Sequence, residues 1–294
     1  MLIINYKDFI QFNIKINKMR IVFLLSILFS LSFTEPDQNF HVYIAFGQSN
    51  MEGKAQIEAQ DTANVSPRYK LLASVDMPMQ GRIKGNWYTA IPPLCRGYTG
   101  LGVTDYFGRE LVENLPENIT VGLINVAIGG ASIDLFDEDK VEEYIPKQPD
   151  WFINIAKEYG EHPYKLLVQL GKIAQKDGVI KGILMHQGET DTGDEQWPYK
   201  VKNVYDNLIK DLDLNPEEVP FLVGEVVDQA QHGCCFIHND VIAKVPDVIP
   251  NSYIVKSTDV PTMDGAHFSS EGYRTMGRRY AQVMLDILNK KNTK

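Results

Sequence analysis

HVYIAFGQSNMEG (residues 41–53) runs as a strand and then stops. From His41 to Phe46 the residues are of strand type and lack polar alternation, the pattern of a strand buried on both faces. Gly47 breaks the run, and Ser49 follows between two amides, Gln48 and Asn50. A serine after a glycine is ordinarily a turn residue. At the tip of a buried strand it is also a candidate nucleophile, provided the rest of the chain supplies its partners.

Four further stretches read as buried strands: 121–126, 180–185, 220–225 and 252–256. Helical spacing lies between and after them, over Val103 to Asn114, Tyr164 to Lys176, Tyr199 to Leu212 and Glu271 to Asn289. The last follows Ser269-Ser270, a good N-cap pair. Such alternation predicts a three-layer α/β/α sandwich with a five-stranded, mainly parallel sheet. The stretches 52–99 and 133–150 show no clear period and read as long ordered loops of the kind that build binding sites. Neither a repeat nor a linker divides the chain, so residues 37–294 read as one domain.

The 294 residues are 44% hydrophobic and carry a formal net charge of -9. That balance argues against a nucleic-acid partner, which needs a basic surface. Lys15, Lys18 and Arg20 precede the apolar run from Ile21 to Leu31. This pattern reads as a secretory signal peptide over residues 1–36, with translation starting at Met1 or Met19. The expectation is a secreted protein, off the membrane once the leader is cleaved; an uncleaved anchor is the rival. Three cysteines allow one intramolecular disulfide, from Cys95 to Cys234 or Cys235, or a strained vicinal bond within the pair. Oligomeric state is not written in the sequence.

Ligands in open α/β sheets bind outside the carboxyl ends of the strands. Four clusters pass that filter: Ser49, Gly129-Gly130, His186-Gln187-Gly188-Glu189-Thr190-Asp191, and Asp264-Gly265-Ala266-His267. Together they hold the parts of a serine hydrolase. A serine hydroxyl needs an imidazole to take its proton, a carboxylate to fix that imidazole, and preorganised donors for the oxyanion. Each part has an ordinary alternative: Gly129-Gly130 as a tight turn, His186 as a hydrogen-bonded core residue, Asp264 to His267 as a loop before a helix. A metal reading of His186 and Glu189 lacks a third ligand at zincin spacing, so no metal is expected.

Gly47-Gln48-Ser49-Asn50-Met51, His186-Gln187-Gly188-Glu189-Thr190-Asp191 and Asp264-Gly265-Ala266-His267 resemble the signature blocks of SGNH-type hydrolases, whose sandwich is flavodoxin-like. They look closest to the carbohydrate acetylesterases of family six, which include acetyl xylan esterases, and to the related sialic-acid O-acetylesterases. The resemblance spans about residues 40 to 288, with Thr190 where a serine is expected. It implies Ser49 as nucleophile and His267 as general base, with no cofactor. It also implies an oxyanion hole made of the Ser49 N–H, a glycine N–H (Gly130 before Gly129) and the Gln187 side chain. Asp264 is the first choice for the orienting acid and Glu189 the second. Trp87, Arg96, Tyr98 and Trp197 are candidate sugar contacts, with ordinary packing as the alternative.

The implied reaction is deacetylation of a polysaccharide, acetylated xylan first. Alternatives are a sialic-acid O-acetylesterase, a lipid-directed SGNH esterase, and a carbohydrate-binding protein that kept the fold. An α/β-hydrolase lipase would need Gly-x-Ser-x-Gly, which the chain lacks.

Overall fold

The opening strand is the centre of the sheet. In the computed structural model, which describes residues 35–292 and the isolated Gln11, β1 (Asp37–Gly47) lies between β4 (Thr120–Ala127) and β5 (Gly178–His186), parallel to both. With β2 (Tyr69–Leu72), β3 (Trp87–Thr89), β6 (Phe221–Gly224) and β7 (Ser252–Val255), the sheet order is β3-β2-β4-β1-β5-β6-β7. The expected leader, apart from Gln11, Glu35 and Pro36, falls outside the described residues. Among those described, no helix is long and apolar enough to cross a membrane.

Seven strands replace the five expected. The two additions form an edge hairpin within 52–99, and β3 is the antiparallel member. Four and three residues long, they are too short to display a period of two. The remaining strands and the four helices fall where periodicity put them, within a few residues at each end.

Alternation along β1 assigns the layers. Tyr43 faces one side, where its ring meets Phe107 edge-on at 5.0 Å. There Val103–Asn114 and Ser270–Asn292 pack on one another. Phe46 faces the other side, meeting Phe136 at 5.0 Å. Pro163–Ala174 lies against β1, β4 and β5. Val42 through Phe46 are wholly buried, which explains the unbroken apolar run.

Register brings the site together. Gly47 pairs with Ala127 on one side and His186 on the other, so the three central strands end level. The segments that follow them all emerge at one edge. At Gly47 the chain must leave the sheet: its φ is +152°, and a Cβ there would lie 2.1 Å from the His186 carbonyl oxygen. Only glycine fits. Gly47→Ala is therefore expected to cost about 3 kcal/mol or more from overpacking plus backbone strain. For a chain of this size that corresponds to a fall in Tm of roughly 6–12 °C. A thermal melt that coincides with the parent's would contradict it.

Candidate active site

Ser49 opens a one-turn helix, Ser49–Glu52, directly beyond β1. Its Oγ lies 2.9 Å from His267 Nε2. His267 belongs to the loop between β7 and the C-terminal helix, and its Nδ1 lies 3.0 Å from Asp264 Oδ2 and 3.1 Å from Oδ1. Asp264 is held in turn by the N–H groups of Ala266 and His267, both donating to Oδ1 at 2.7 Å. Partial burial raises the Asp264 carboxyl, but the His267 ring and these N–H donors outweigh it and leave the group below its ordinary pKa. A carboxylate, an imidazole and a hydroxyl thus stand in line, the arrangement that makes a serine nucleophilic.

Glu189 takes a different place. Its Oε1 accepts from Asn50 Nδ2 at 2.6 Å, and its buried Oε2 has no hydrogen-bond partner among the described residues. Burial above all pushes its carboxyl up to about 7. It stands near His267 without a hydrogen bond to the ring, so Asp264 is the carboxylate in contact with His267. Asn50, which the sequence reading passed over, is the brace. Besides Glu189 it reaches the Ala266 carbonyl at 2.8 Å, and Tyr273 donates to its Oδ1 at 2.8 Å. One amide so fastens the serine turn to the β5 loop, the His267 loop and the C-terminal helix.

The donors for an oxyanion need one correction. The N–H groups of Ser49, Gly129 and Gly130 are taken by no hydrogen bond among the described residues. Gly130 has φ +75°, and a Cβ on Gly129 would lie 2.9 Å from Glu52 Oε2 and 3.5 Å from Ser49 Cβ. The glycine pair is what lets this backbone run beside Ser49. Gln187, however, does not face the cleft. It is wholly buried, and its Nε2 has Gln48 Oε1 and the Ala131 carbonyl as acceptors, both at 3.1 Å, as well as Asp191. Its Oε1 accepts from Trp197 Nε1 at 2.6 Å. An amide with every donor and acceptor engaged is scaffold.

Gln48 stands where Gln187 was expected. It lines the cleft beside Ser49. Its Oε1 accepts from Gln187 Nε2, Thr190 N and Gly188 N at 3.1, 3.3 and 3.4 Å. Anchoring the oxygen to the β5 loop leaves the Nε2 group as the end that faces the cleft. The signal was in the sequence, one position before the serine.

The cleft has a volume of about 500 Å³. Its walls beyond the serine include Tyr98, Trp151 and Ile155. Trp151, 54% exposed, is an aromatic wall that the sequence reading missed inside a short helix, Asp150–Glu158. Of the candidate sugar contacts, Tyr98 is in the cleft, its hydroxyl donating to Glu158 at 2.6 Å. Arg96 lines it too, but its guanidinium is buried against Glu52, the Ala127 carbonyl and the Tyr159 hydroxyl. Trp87 is not there: it packs on Phe40 at 4.7 Å and donates to Asp177, beside the opposite ends of the strands. Trp197 is wholly buried. His186 is the core residue of its ordinary alternative, sharing a 3.1 Å hydrogen bond with Tyr280 and kept neutral by burial, its pKa pushed down to about 3. All three cysteines are free, so none of the pairings the sequence allows is formed. Cys95 is buried, 3.1 Å from the Tyr159 hydroxyl.

The family whose model this chain matches makes it a carboxylic ester hydrolase. A model of the family described as carbohydrate esterase, sialic acid-specific acetylesterase, matches residues 39–286, and the chain belongs to that family. A probable carbohydrate esterase of Arabidopsis thaliana is 25% identical over 258 residues, spanning 83% of this chain and 90% of the relative. The X-ray structure of an Arabidopsis thaliana protein aligns over 84% of this chain and 98% of its own, at 21% identity and a TM-score of 0.64. The crystal structure of NanS aligns over 87% and 99%, at 16% identity and 0.62. That of a carbohydrate acetylesterase from Xanthomonas citri aligns over 82% and 54%, at 19% identity and 0.57. These likenesses are of fold.

Proposed function

We propose that the protein removes O-acetyl groups from a saccharide through an acyl-serine intermediate. One observation carries the reading: His267 bridges Ser49 and Asp264 in the wall of an open cleft. Ser49 attacks the acetyl carbonyl while His267 Nε2 takes its proton. The oxyanion is received by the N–H groups of Ser49 and Gly130 and the Gln48 Nε2 group. His267 then protonates the departing sugar oxygen, and water repeats the sequence to release acetate.

An acetylated neutral polysaccharide such as xylan is the first substrate reading. The Arg96 guanidinium behind the cleft wall is already paired with Glu52, and Tyr98 and Trp151 offer aromatic faces for sugar rings. O-acetylated sialic acid is the second, favoured by the family description and by half-exposed Lys54 in the same wall, 3.7 Å from Glu52. Acetate release from acetylated xylan and from O-acetylated sialic acid, beside a long-chain acyl ester, separates them. Turnover of the long-chain ester alone would overturn both.

Two substitutions test the donor assignment. Gln48→Glu keeps the oxygen that anchors the β5 loop but puts an anion where the oxyanion forms. Its kcat is expected to fall by about 10² to 10³ or more, the cost of losing one oxyanion donor. Gln187→Ala instead strands Trp197 Nε1 and Asp191, costing about 1–3 kcal/mol of stability. Equal kcat losses with equal melts would return the role to Gln187. For the wall, Trp151→Ala is expected to raise KM about threefold to tenfold with kcat nearly unchanged, the mark of uniform binding.

A further inference from the structure

The segment carrying Asp264 and His267 rests against two adjacent cysteines. The Cys234 N–H donates to the Gly265 carbonyl at 2.8 Å. Gly265 is closely packed there, since a Cβ on it would lie 3.2 Å from the His232 carbonyl oxygen and 3.5 Å from Cys234 N. The Sγ atoms of Cys234 and Cys235 are 2.7 Å apart, both thiols are free, and Cys234 is exposed. The same stretch also touches the β5 loop. His238 accepts from the Gly193 N–H at 3.3 Å and packs so tightly on Gly188 that a Cβ there would meet its ring at 2.4 Å.

We propose that Cys234 and Cys235 form a redox modification site, whose closure to a vicinal disulfide displaces the Asp264–His267 segment and slows the enzyme. The kinetic half of this rests on the Ser49–His267–Asp264 reading above. Consecutive Cα atoms across a trans peptide are about 3.8 Å apart, whereas disulfide-linked residues usually stand about 4.4–6.8 Å apart. Neighbouring Cα atoms cannot reach that span, so closing the bond distorts the peptide joining the pair, and the adjoining Cys234 N–H that holds Gly265 shifts with it. In the dithiol form His267 is aligned on both sides, so displacement lowers activity. The distortion also makes the bond easy to reduce, and hence reversible.

With oxidised glutathione the chemistry balances. One cysteine thiolate attacks the glutathione disulfide, forming a mixed disulfide and releasing one glutathione thiol. The neighbouring thiolate then attacks the protein-side sulfur and expels the second. The protein pair gives up two electrons and two protons, and one glutathione disulfide becomes two thiols. Partial desolvation, with Cys235 beside it, pushes the Cys234 thiol up to about 11, so exchange quickens as pH rises.

The test incubates the full chain with oxidised or reduced glutathione at mildly alkaline pH. Mass spectrometry of the peptide holding both cysteines then reads the bond, and steady-state kinetics on an acetyl ester read its effect. Oxidation is expected to remove two hydrogens from that peptide and to lower kcat about tenfold or more, with KM little changed and dithiothreitol restoring the rate. Cys234→Ser and Cys235→Ser are expected to keep the reduced enzyme's rate and to show no response. Failure of the bond to form, or a bond with kcat unchanged, would overturn the proposal, as would an equal loss in Cys234→Ser. Ser49→Ala is assayed alongside. Retained activity in that variant would overturn the catalytic reading, while the mass measurement would still report on the thiol pair.

Discussion

Ser49→Ala is expected to lower kcat on an acetyl ester by on the order of 10⁵ to 10⁶, with KM changed little. Without the hydroxyl there is no covalent intermediate, and water must attack the carbonyl unaided. What remains is the oxyanion hole and substrate binding, about 10³ to 10⁴ over the reaction in water. His267→Ala should fall nearly as far, and the double variant hardly further, because the two residues act as one unit. Folding gives little cover for a contrary result. The Ser49 hydroxyl bonds to His267 in the cleft wall, and its loss removes no packed apolar surface. Measured kcat within tenfold of the parent, on a scale where the triad is worth about 10⁶, would take the nucleophile away from Ser49.

Why so much of this site was readable before the structure comes down to strand ends. A parallel sheet puts its functional residues just beyond the carboxyl ends of its strands, and apolar runs mark those ends plainly. Ser49, Gly129-Gly130 and the β5 loop meet at one sheet edge for that reason. His267 and Asp264 follow the last strand at a greater distance, and their motif found them.

What escaped was contact and direction. Gln48 and Gln187 are both amides beside a strand end. The sequence does not say which one turns its N–H group to the cleft. That choice depends on a network running through Asp191, Trp197 and the Thr190 N–H, and no local pattern encodes it. The aromatics divide for the same reason. Trp87 and Trp197 sit in sequence where loops and helix starts suggest a platform, yet one packs on Phe40 and the other is wholly buried. Trp151 instead faces the cleft from a helix whose start follows Pro149. Burial is a property of the assembled layers, and a single exposed ring carries no periodic signature.

The orienting acid is where two carboxylates compete, and substitution separates them. Asp264→Asn is expected to cost about 10⁴ in kcat, because an amide opposite Nδ1 favours the wrong tautomer and cannot steady the imidazolium. Glu189→Gln keeps an oxygen for Asn50 and has no hydrogen bond to the ring to lose, so its fall in kcat is expected to be far smaller. The pH dependence of stability gives Glu189 a signature of its own. Its folded carboxyl titrates near 7 against an ordinary value of 4.5. The folded chain therefore binds this proton more tightly than the unfolded chain does. Relative to Glu189→Gln, parent stability is fully present below 4.5 and is lost as pH rises through about 7. Thermal melts of both proteins across that window measure the difference directly. A parent that gains on the variant as pH rises would mean that Glu189 is held as a carboxylate. A fall in kcat for Glu189→Gln as large as that for Asp264→Asn would then make it a second anchor of His267.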